Sequence, residues 1–144
     1  MRLNRTVRCL LCLTMFVAGC GTNPNWPAGV TFNCSCAPSS ERVQGIESLL
    51  IDVGFISDVT TKNNSPEVET WLAPAYRFGN RRDLTALIYA YVGRGASFHV
   101  TITNTSVGGR LPPGDQEIVD RVQEGLDRIM PGEFLIGISS SLKK

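Results

Sequence analysis

Apolar residues recur along the chain in two rhythms. Val43, Ile46, Leu50 and Val53 follow one another at steps of 3, 4 and 3, which lays them on one face of a helix. Pro38-Ser39-Ser40-Glu41 ahead of them supplies a cap and a first-turn acid. Gly54 suits the position just past the helix end, with Phe55 folding back on the last turn. A second stripe, Ile118, Val122, Leu126 and Ile129, opens after Pro112, with Pro113 near the first helical position, and stops at Pro131-Gly132. Between the two helices the rhythm changes. Leu84 to Val92 and Ala96 to Thr103 read as strands joined by Gly93-Arg94-Gly95. Trp71 to Phe78 reads as an edge or bulged strand, because Pro74 cannot donate to a ladder. Lys62 to Thr70 reads as a polar loop, Phe134 to Ile138 as a last strand, and Val30-Thr31-Phe32 as the start of a first one.

This order predicts an α+β fold: an antiparallel sheet of three to five strands with two amphipathic helices packed on one face. A ferredoxin-like plait is a variant that three consecutive middle strands do not match cleanly. The register of the Leu84–Thr103 hairpin decides where its aromatics go. A two-residue turn, which glycine at either end suits, puts Tyr89 and Tyr91 in the core with Phe98, Val100 and Ile102. A three-residue turn flips them to the other face, beside Ser97, His99 and Thr101. The expectation is the two-residue turn and buried tyrosines. The exposed alternative would be a Tyr/His strip suited to stacking on a glycan.

The N-terminus follows neither rhythm. Arg2, Arg5 and Arg8 precede an apolar run from Cys9 to Ala18, about half the ~20 residues needed to span a bilayer. A basic start, a short apolar run and small residues before a cut describe a secretory signal peptide. Val17-Ala18-Gly19-Cys20 at its end resembles the lipobox of bacterial lipoproteins, with Val17 where that motif favours Leu. The resemblance implies cleavage between Gly19 and Cys20, a diacylglycerol on the Cys20 thiol and acylation of the new amino group. Two or more acyl chains hold a protein stably at a bilayer where one does not. The organisation expected is a signal peptide at 1–19, a lipidated N-terminus and tether at 20–37, and one α+β domain at 38–144. Gly21, where Asp would favour inner-membrane retention, points to the outer membrane in a cell that has one.

Composition narrows the choice of function. From Cys20 onward the chain has about 125 residues, enough for one core. It keeps 11 basic residues against 13 acidic ones, a formal charge of −2, which gives no basis for nucleic-acid binding. With Cys9 and Cys12 removed and Cys20 acylated, Cys34 and Cys36 remain. In an oxidising compartment they pair with each other or between chains, and the i,i+2 separation in an extended chain strains the local bond. A metal site wants about four ligands, and one histidine with one cysteine pair falls short, so no metal and no cofactor is expected.

The remaining candidates are weak. His99 is the only histidine, with no carboxylate placed beside it and no nucleophile motif in the chain, so it reads as a surface residue. Gly108-Gly109 before a helix resembles a phosphate cradle, but Pro112 and Pro113 lack N–H groups and Asp115 adds a negative charge. Arg81, Arg82 and Arg110 fall at one end of the expected sheet and could form a basic corner for an anionic headgroup, with Asp83 able to neutralise one of them. The sequence therefore predicts a non-enzymatic envelope lipoprotein, an accessory or protein-interaction module held at the membrane by Cys20. The alternatives are a ligand-binding module using Tyr89, Tyr91, His99 or the arginine corner, and a thiol-redox protein using Cys34 and Cys36 or another envelope enzyme.

Overall fold

The computed structural model describes residues 27–59, 68–91 and 97–138. Its elements are β1 (Pro27–Cys34), α1 (Ser40–Val53), β2 (Phe55–Asp58), β3 (Val68–Trp71), β4 (Ala75–Phe78), β5 (Leu84–Tyr91), β6 (Phe98–Gly108), α2 (Pro113–Ile129) and β7 (Phe134–Ile138). The fold is α+β, with one antiparallel sheet in the order β2-β4-β5-β6-β1-β7 and β3 beside β4 on the same side of β5.

That makes seven strands, more than the three to five expected, and each extra one has a local cause. Gly54 takes φ 121°, a left-handed conformation that reverses the chain as α1 ends. Phe55 therefore starts β2 instead of capping the helix, and its ring meets Phe78 edge-on at 5.3 Å. The run from Trp71 to Phe78 breaks around Pro74. Leu72 still donates to Ile88 O at 3.0 Å, but β3 pairs with the far end of β5 and β4 with its near end. The first strand is also longer than its sequence suggests. Pro27–Cys34, assigned to the tether from sequence, lies between β6 and β7 and hydrogen-bonds to both. Residues 1–26 fall outside the described structure, and with them the segment expected to be a signal peptide, Cys20 and Trp26.

Both helices form where their stripes predict. Ser39 Oγ accepts from Arg42 N at 3.2 Å to cap α1, and Val43, Ile46, Leu50 and Val53 are its buried residues. In α2 the buried face is Ile118, Val119, Val122, Gly125 and Leu126, together with Asp115. Ile129, expected to finish that stripe, is 42 % exposed, since it lies at the helix end. Gly125 sits where α2 meets α1: a Cβ there would collide with the Leu49 side chain. The buried helix faces join Phe32, Cys34, Leu84, Ala86, Ile88, Phe98, Val100 and Ile102 in one core cluster on one face of the sheet.

The β5–β6 register is that of the alternative, although Tyr89 is buried as expected. Ala86 pairs with Ile102 and Ile88 with Val100 on the core side, so Leu87 and Tyr89 pair with Thr101 and His99 on the other. Tyr89 is thus not among the core residues facing the helices, as the two-residue turn required. Small Ala86 and β-branched Ile88 fit under the helices where two tyrosines would overfill the space. The turn at 92–96 and the side chain of Tyr91 lie outside the described residues.

Candidate functional site

The side of the sheet away from the core cluster carries a row that crosses five strands. Trp71 on β3 is paired with Tyr89 on β5, Tyr89 with His99 on β6, His99 with Asn33 on β1, and Asn33 with Leu135 on β7. Antiparallel pairing sets these side chains shoulder to shoulder. The Trp71 and Tyr89 rings lie 6.4 Å apart, the Tyr89 and His99 rings 5.5 Å. His99 Nδ1 meets Asn33 Oδ1 at 2.5 Å, which places the ring proton on Nδ1. A second row bonds to the first: Tyr89 OH reaches Thr101 Oγ1 at 3.0 Å, and Thr101 reaches Thr31 at the same distance. Tyr89 is buried at 7 % exposure, while Trp71, His99, Asn33, Thr31 and Thr101 are half-buried. His99 is therefore one member of a hydrogen-bonded aromatic strip and not an isolated surface residue.

The arginine corner does not form as expected. Arg81 Nε and Nη2 donate to the two Asp83 oxygens at 3.1 and 2.8 Å, and its Nη1 and Nη2 donate to Asp115 at 2.6 and 3.2 Å. A guanidinium engaged by two carboxylates is not available to an outside anion. Arg82 and Arg110 remain exposed. Asp115 is itself buried, and its Oδ2 also accepts from Asn104 Nδ2 at 2.6 Å. Ser106 Oγ lies between Asp83 and Asn104, donating to Asp83 Oδ2 at 3.0 Å or Asn104 Oδ1 at 2.8 Å. The hydrogen bonds from Arg81 hold both carboxyls below their ordinary range, Asp83 down to about 2. The network clamps the start of α2 to the β4–β5 turn and the end of β6. Sequence reading missed it because Asp115 looked like a first-turn helix acid; its weak signal was an acid placed immediately after Pro112-Pro113-Gly114.

Cys34 and Cys36 form a disulfide within the chain. Their Cα atoms are 5.2 Å apart, inside the ordinary range, because the chain leaves β1 at Cys34 and bends at Cys36. The wide Cα separation expected of an extended i,i+2 pair does not arise. Cys34 is buried and Cys36 half-buried. Beside them lies Glu133, which accepts from Arg42 Nη2 at 3.4 Å, while Arg42 Nη1 donates to Ala37 O at 3.1 Å. Arg42 and Glu133 also line a groove of about 580 Å³ between the start of α1 and the end of α2, with Ser39, Glu41, Ile129 and Met130.

Compared with protein-family models, with curated proteins and with solved structures, the chain matches none. Its function has to be argued from the residues themselves.

Proposed function

We propose that the protein is a bacterial envelope lipoprotein, anchored through acylated Cys20, and that its domain is a non-enzymatic accessory module working by protein interaction. The observation that carries this reading is the sequence Val17-Ala18-Gly19-Cys20 behind three arginines and a short apolar run. The domain supports the interaction part. Its exposed apolar side chains include Ile56 and Val59 along and just beyond β2, and Leu135 and Ile136 on β7, the strands at the two ends of the sheet order. Edge strands with apolar side chains and unpaired backbone groups are places where proteins meet.

The row Trp71–Tyr89–His99–Asn33 favours a second reading, in which the sheet face binds a ligand such as a glycan. Aromatic rings set in a field of hydroxyls and amides suit sugar recognition.

Fractionating cells that express the wild-type chain or Cys20→Ala tests the anchor. Wild type should sediment with membranes, and the variant should move to the soluble envelope fraction. Equal distribution of the two would remove the basis of the proposal. Binding of the soluble domain to envelope glycans, lost in Trp71→Ala, would transfer support to the second reading.

A further inference from the structure

Antiparallel pairing of Cys34 with Phe134 brings Glu133, the residue just before β7, alongside the Cys34–Ser35–Cys36 bend. One carboxylate oxygen of Glu133 and the two sulfurs all lie within 4.8 Å of one another. The two oxygens of Glu133 differ in their surroundings. Oε1 takes the Arg42 guanidinium, whereas Oε2 is shut off from solvent and has no hydrogen-bond partner. A carboxylate oxygen that is both dry and unpartnered is costly, and it needs an explanation. In the disulfide state the adjacent sulfurs offer neither a proton nor a charge.

We propose that, when the disulfide is reduced, Cys34, Cys36 and Glu133 together hold a thiophilic divalent cation of the Zn²⁺ type. Two thiolates and one carboxylate are an accepted ligand set for such an ion, with water in the fourth tetrahedral position. The charges close: three negative ligands balance the divalent cation plus Arg42. Arg42, held in turn by Ala37 O, keeps Glu133 oriented towards the sulfurs, as supporting residues around metal sites do. Sequence reading rejected a metal because it found only two nearby ligands; the third comes from the other end of the chain through strand register. The chemistry is a two-electron step followed by an exchange. A dithiol donor passes two electrons and two protons to the Cys34–Cys36 bond and leaves as its own disulfide. Binding of the cation then releases both thiol protons to solvent. The site would therefore be closed under oxidising conditions and open under reducing ones.

The test uses the full chain as expressed, purified in detergent and reduced with a phosphine, which ends as its oxide with oxygen from water. Zn²⁺ affinity is read by competition against a chromophoric chelator. The Cys34→Ser/Cys36→Ser chain supplies the background from any other cysteine. The reduced wild type should bind one Zn²⁺ at least about 100-fold more tightly than that double variant, and Glu133→Gln should weaken binding by about 10-fold or more. Glu133→Asp, which keeps the carboxylate, covers the case in which Glu133→Gln does not fold, and should bind more tightly than background. The oxidised wild type should behave like the double variant. Reduced wild type no tighter than background overturns the proposal. Glu133→Gln within about twofold of wild type removes Glu133 from the site and overturns it equally.

Discussion

Asp115 keeps its charge almost out of reach of water, with its carboxylate 4 % exposed, and relies on Arg81 and Asn104 for compensation. Asp115→Asn keeps one acceptor oxygen and turns a donor NH2 towards either the Arg81 guanidinium or the Asn104 amide, each of which needs an acceptor. We expect a loss of about 2 kcal/mol in urea unfolding, less than for a fully buried pair because Arg81 is 40 % exposed. Both Asp115 and Asp83 titrate below their unfolded values, so their contribution is complete above about pH 4 and is lost as pH falls below that, for Asp83 towards about 2. Most of the effect rides on Asp115, since Asp83 is 31 % exposed and screened by water. In Arg81→Ala this acid-side slope should flatten; an unchanged slope would mean the carboxylates owe their low values to something else. The residues of this network were visible in the sequence, but only as loop charge. Arg81 and Asp83 stand next to each other in effect, while Asp115 and Asn104 reach them solely through the packing of α2 against the sheet.

The helices could be read from sequence because each records its buried face within a single stretch, as Val43, Ile46, Leu50 and Val53 do. Strand pairing records itself in two places at once, and there the reading failed. Nothing local separates a two-residue from a three-residue turn at Gly93-Arg94-Gly95; only the volume under the helices selects Ala86 and Ile88 over Tyr89. A double-mutant cycle checks that register: Tyr89→Phe and Thr101→Val should show a coupling of about 0.5–1.5 kcal/mol through their shared hydrogen bond. Zero coupling would put the two side chains on different faces. Where α1 and α2 touch, Gly125→Val should cost about 1–3 kcal/mol in thermal or urea unfolding, since the branched side chain would have to displace Leu49. A neutral result would mean the helices are not in close contact at that point.

The parts of the protein fit one account. A short basic and apolar stretch, read as a leader, ends in Cys20, and the described residues after it form a seven-stranded sheet backed by two helices. No helix among the described residues is long and apolar enough to cross a membrane; the attachment proposed is through Cys20. Tethering would leave the sheet edges and the Trp71–Tyr89–His99 row to meet partners in the envelope, with the Cys34–Cys36–Glu133 cluster responding to redox state. The basis for the proposed anchor was legible because charge, run length and motif occur together within about 20 residues. What the domain binds was not, because the chemistry in its face and its cysteine cluster is assembled from distant strands. Mass spectrometry of the N-terminal peptide from membrane-purified protein tests the anchor most directly. The account predicts a chain that begins at Cys20 and carries acyl groups on its thiol and amino nitrogen; an unmodified Cys20, or a chain cut elsewhere, would contradict it.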